Sequence, residues 1–154
     1  MPFQVKIQKA RFVYSPFSAE QMLQIGNVLR DSIATRIMRA VNVNDQAARP
    51  LKPGRNGRAG YPEQKERFGL KPIRDWVGLP GRMRTIGSMK VTSVSENRGR
   101  IGFVDEKADM IAHINNLREK QFGVSPKDRQ ALGAIVRAMI QEGRATLVMT
   151  KRVG

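Results

Sequence analysis

Ser18-Ala-Glu-Gln-Met-Leu-Gln-Ile-Gly-Asn-Val-Leu-Arg-Asp-Ser-Ile-Ala-Thr-Arg-Ile-Met-Arg-Ala-Val41 reads as one long amphipathic helix. Met22, Ile25, Leu29, Ile33 and Ile37 recur at spacings of three and four, while Gln24, Asp31, Thr35 and Arg39 fall on the opposite side. Ser18 with Gln21 three residues on forms a capping box, two side chains that satisfy orphan backbone donors reciprocally. Such a stripe needs an apolar partner surface. The flanking sequence supplies it as strands.

Upstream, residues 3–14 alternate: Phe3, Val5 and Ile7 on one face, Gln4, Lys6 and Gln8 on the other, the period-two pattern of a half-buried strand that Ser15-Pro16 ends. Downstream, residues 88–95 and 100–104 predict two strands joined through Asn97-Arg98-Gly99 as a hairpin. Asp105 is placed to cap a shorter helix whose apolar set is Ala108, Ile111, Ala112, Ile114 and Leu117, ending before Gly123. Ser125, Pro126 and Asp128 then open a closing helix with the stripe Leu132, Ile135, Val136, Met139 and Ile140, and Gly143 lies where that helix is expected to stop. Residues 145–150 predict a final strand. The fold class is therefore α+β: a small antiparallel sheet, a long N-terminal amphipathic helix and a C-terminal helix packed on it, and one long inserted loop at about 44–86. At 154 residues the chain is expected to form a single domain, 1–154.

That loop concentrates the charge. Residues 49–84 hold ten Lys/Arg against three acids, a net +7 out of the chain's +15, together with five of the eight prolines and six of the fourteen glycines. A long basic segment between well-patterned elements is usually a working surface. Its cations Arg55, Arg58, Lys65, Arg67, Arg74, Arg82 and Arg84 are the candidate partner- or DNA-facing residues, with Trp76 read as the anchor that fastens the loop to the core. The excess positive charge points to a polyanionic or acidic partner, nucleic acid or an acidic protein surface. No apolar run is long enough to span a bilayer, and the N-terminus lacks the layout of a secretory signal, so synthesis in the cytoplasm is expected.

Catalytic chemistry finds little to use. The chain has no cysteine and one histidine, His113, with no acid cluster beside it in sequence. Most acids neighbour a base (Glu63 and Lys65, Glu66 and Arg67, Glu119 and Lys120, Asp128 and Arg129), which reads as solvated charge. The expectation is a non-enzymatic protein with no cofactor and no metal. Gly54-Arg-Asn-Gly57 fits the GxxG that brings backbone close to phosphates in some RNA-binding domains, but prolines and glycines flank it where that motif needs helices, so a basic loop tip is the simpler reading. Tyr61, Phe68 and Trp76 are the loop's aromatics for any base stacking.

Several stretches taken in order resemble a known family. Arg36-Ile-Met-Arg39 ends a helix; Asn44-Asp-Gln-Ala-Ala-Arg-Pro-Leu-Lys52 leads to Tyr61-Pro-Glu-Gln-Lys65; Arg74-Asp-Trp76 and Gly81-Arg-Met83 precede a strand at 88–91; Phe122-Gly-Val-Ser-Pro-Lys-Asp-Arg129 opens the closing helix. This order, over roughly residues 20–140, is similar to the tail-completion (virion morphogenesis, head–tail joining) proteins of tailed bacteriophages. The threonine of that family's turn is replaced by Pro80 before Gly81, and both terminal strands are additional to its pattern. The resemblance implies a structural virion protein at the neck: a homo-oligomeric ring, hexamer or dodecamer, docked to neighbouring connector and tail-tube proteins, with transient contact with genomic DNA and no membrane. The alternative is a basic RNA- or DNA-binding module using residues 49–84.

Overall fold

The computed structural model describes residues 2–4, 17–77, 85–94 and 98–153, with side chains described for 17–77, 85–94 and 98–142. The element order is β1 (Pro2–Gln4), α1 (Ala19–Met38), α2 (Tyr61–Arg67), a 3-10 turn (Ile86–Ser88), β2 (Met89–Val94), β3 (Arg98–Phe103), α3 (Glu106–Arg118) and α4 (Pro126–Val153). The three strands form an antiparallel sheet in the order β1-β3-β2. Helices and this small sheet make the α+β class expected from the sequence.

α1 begins as the sequence indicates. The Ser18 hydroxyl accepts from the Gln21 N–H at 3.1 Å, and the Gln21 side chain accepts from the Ser18 N–H at 3.0 Å. Met22, Ile25, Leu29, Ile33 and Ile37 are all buried, at 1 % exposure or less. The helix lies on β2 and β3, and Gly26 allows the close approach: a Cβ there would come within 2.8 Å of Val91. The main core joins Leu29, Ile33 and Ile37 to Trp76, Met89, Ile101 and Ala112. Phe103 bridges Trp76 and Phe122, with ring centroids 6.3 and 5.1 Å away. α4 packs against α1, and α3 against β3.

Four expectations change. The closing helix does not stop at Gly143, and residues 145–150 are not a strand; α4 runs unbroken to Val153. Ala145, Leu147 and Met149 are good helix formers, and a backbone already helical extends through one glycine at a cost of only ~1 kcal/mol. Arg98 and Gly99 belong to β3 rather than to the turn before it. Ile114 and Leu117 of α3 face outward, 43 % and 75 % exposed, and Ala108 and Ala112 make the contact instead. The inserted loop contains α2, which Pro62 in its first turn favours. Of the N-terminal strand, only residues 2–4 are described; residues 5–16 lie outside the described residues.

Candidate basic docking surface

The basic segment is folded onto the body of the protein. α1 ends at an Arg39 cap followed by Ala40 at a positive φ of 54°, which turns the chain back so that Val41 bridges Ala47. The Asn42 side-chain carbonyl accepts from the N–H groups of Asn44 and Gln46 and fixes that turn. Arg49 then reaches the connection between α3 and α4: its Nε donates to Glu119 at 2.6 Å and its Nη2 to the Arg118 carbonyl. The Arg49 hydrogen bond, joined by one from Asn42, holds the Glu119 carboxyl below the usual carboxylate range against the effect of burial.

Beyond Pro53 the chain makes a narrow turn at Arg55-Asn56-Gly57-Arg58. Asn56 and Gly57 both have positive φ, 53° and 72°, and the Arg58 N–H donates to the Arg55 carbonyl at 3.1 Å. Positive φ at both central positions is the signature of a type I′ turn, and Asn-Gly is its preferred pair. The two arms lie so close that a Cβ on Gly54 would sit 2.0 Å from the Arg58 carbonyl oxygen. Glu63 of α2 fastens the base, accepting from the Gly54 N–H at 2.9 Å, and that bond lowers its carboxyl pKa. Arg55 and Arg58 are exposed on either side of this turn. The GxxG spacing thus marks a tight turn rather than a link between two helices.

Lys65 is not on the surface. At 1 % exposure it donates to Asp75 at 2.6 Å and to the Ile73 carbonyl at 2.7 Å, and Asp75 also accepts from the Val77 N–H. A buried ammonium persists only with such partners, because its desolvation costs several kcal/mol. Lys65 therefore leaves the set of facing cations and becomes the clasp between α2 and residues 73–75, closing this part of the segment that wraps the body. Trp76 is 4 % exposed; its indole N–H donates to the Gln121 side chain at 2.7 Å, and Gln121 donates to the Arg74 carbonyl at 2.7 Å. Arg74 is half-buried and donates to the Arg49 and Pro50 carbonyls, with burial pushing its pKa down. Arg82 and Arg84 lie outside the described residues.

Arg55, Arg58 and Arg67 are the expected cations that the structure leaves on the surface, and Lys52 and Lys71, not among the expected residues, are exposed as well. Two acids whose sequence neighbours are bases are likewise not solvated charges. Glu119 bonds Arg49, and Asp128 is 1 % exposed and bonds Arg36, Ser32 and the Ser125 N–H. Arg36, itself buried, also donates to the carbonyls of Val41, Gln121 and Gly123. The one available signal was position: Asp128 sits at N3 of α4, where a capping acid has reason to be buried.

His113 is exposed on α3, at the edge of an open groove of about 480 Å³ between α3 and β3 that Thr92, Arg100, Asp109 and Asn116 also line. No group of three or more His, Cys, Asp or Glu suited to a metal ion occurs among the described residues, and no helix among them is long and apolar enough to cross a membrane. No family model, curated protein or solved structure matches this chain.

Proposed function

We propose that the chain is a non-enzymatic structural protein of a tailed bacteriophage, a subunit of the ring that joins the tail tube to the DNA-filled head at the neck. Its site of action is the virion, its partners are copies of itself and the neighbouring connector and tail-tube proteins, and DNA meets it only in passing. The order of motifs from Arg36 to Arg129 supports this reading. The observation that carries it is the Arg55–Arg58 turn: a tight, cross-braced projection bearing two guanidiniums, held at its base by Glu63. Arginines on a preformed turn suit bidentate docking to carboxylates of an adjacent subunit, because little backbone freedom is lost on binding. The wrap is fastened at Glu119, Gln121 and Asp75, so it meets a partner as a formed surface and not as a strand that must fold on contact.

In-vitro joining tests the proposal. Filled heads and finished tails prepared without this protein should remain separate and join when it is added, and Arg55→Glu with Arg58→Glu should abolish joining while the fold is retained. Particles that join equally well in its absence would overturn it. A nucleic-acid-binding module is the second reading, favoured by Phe68, 58 % exposed beside Arg67, since an aromatic next to a cation is a stacking platform for an unpaired base.

A further inference from the structure

α3 carries a pattern that its own fold does not use. Met110, Ile114 and Leu117 are 56 %, 43 % and 75 % exposed, although the core beneath this helix takes Ala108 and Ala112. Glu106, Met110, His113 and Leu117 follow at steps of four, three and four, so they share one outward stripe, with Ile114 beside it. The charge along the stripe is polar in direction. Asp105, Glu106 and Asp109 outweigh Lys107 at the N-terminal end, while Arg118 and Lys120 stand exposed at the C-terminal end, roughly 20 Å away along the axis, where Glu119 is buried and bonded to Arg49.

A surface with an apolar middle, an acidic end and a basic end is complementary to itself when turned end for end. We infer that the free chain pairs with a second copy through α3, the two helices antiparallel across a twofold axis. Glu106 of each copy then lies beside Leu117 and Arg118 of the other, and Met110 beside His113. Both acid–base contacts form together, which is the property of an isologous interface. Antiparallel alignment also sets the helix macrodipoles favourably. The stripe is short, so the pairing belongs with weak, reversible contacts rather than obligate ones. This inference does not depend on the neck reading. A twofold contact closes on itself and cannot propagate into a ring, so it describes the chain before assembly and must open if rings form.

Sedimentation velocity of the full chain over a concentration series tests it. A monomer–dimer equilibrium is expected, and Leu117→Asp should weaken it by about tenfold or more while the circular dichroism spectrum is unchanged. Glu106→Arg and Arg118→Glu should each weaken it by up to about fivefold, the range of a rim ion pair. The two together in one chain should restore it, because a twofold contact then regains both pairs with the signs exchanged. A chain that stays monomeric to about 1 mM would overturn the inference. So would a dimer indifferent to Leu117→Asp, a double variant as weak as the sum of its parts, or open-ended growth with concentration. Each of these readouts is obtained without heads or tails, so failure here leaves the joining experiment to judge the neck reading on its own.

Discussion

Lys65 and Asp75 sit ten residues apart, both buried, and clasp α2 to the chain that follows it. Lys65→Ala leaves the Asp75 carboxylate without its cation in an apolar surround, and the expected loss of stability is about 3–5 kcal/mol, read from denaturant unfolding. Lys65→Met should cost less than Lys65→Ala, since both strand the Asp75 carboxylate but methionine still fills the channel. Arg36 makes the same argument with more bonds. Arg36→Lys keeps the charge but cannot reach Asp128 and three carbonyls at once, so it should cost roughly 2 kcal/mol or more despite its conservative chemistry. The carboxyls of Glu63 and Glu119 have pKa values below the ordinary 4.5, through the Gly54 N–H and the Arg49 guanidinium respectively. A depressed folded-state pKa contributes stability that is complete above the unfolded value and is lost as pH falls through the folded one. The melting temperature should accordingly fall as pH drops below 4.5, and Glu119→Gln should flatten part of that slope.

α1, α3 and α4 were readable as elements, and their start signals were the best guide: Ser18, Asp105 and Ser125 all stand just before the first helical residue. The stripe of α1 was legible because one helix face meets one sheet, and Ile33→Ala should cost about 2–5 kcal/mol, measured by urea unfolding. The ends were not legible. Gly143 resembles a helix stop, but a glycine ends a helix only where the chain turns left-handed, and nothing local forces that. α3 misled for another reason: its larger apolar residues matched a helical period, yet only the small Ala108 and Ala112 are fully buried beneath it. The wrap was the hardest to foresee. Its fastenings join residues 45 to 70 positions apart, Trp76 to Gln121 and Arg49 to Glu119, and neighbouring opposite charges in sequence hide partners that only the fold supplies. The Asn56-Gly57 turn was local and could have been recognised from that dipeptide alone.

At the scale of the whole molecule, the charge is divided by role. Lys65, Arg36 and Arg74 are committed to internal partners, while Lys52, Arg55, Arg58, Arg67 and Lys71 remain outward. A net charge of +15 gives any such protein some salt-sensitive attraction to nucleic acid. On the neck proposal the tight Arg55–Arg58 turn serves protein docking, with DNA contact incidental. Binding to a labelled DNA duplex and a single-stranded RNA across a salt series tests it most directly. Affinities of about 10⁻⁴ to 10⁻⁶ M near physiological salt are expected, with no preference between the two. Binding at about 10⁻⁸ M or tighter that persists in such salt, favours one nucleic acid and is lost in Arg55→Ala with Arg58→Ala, would contradict it and make the turn a recognition surface for that nucleic acid.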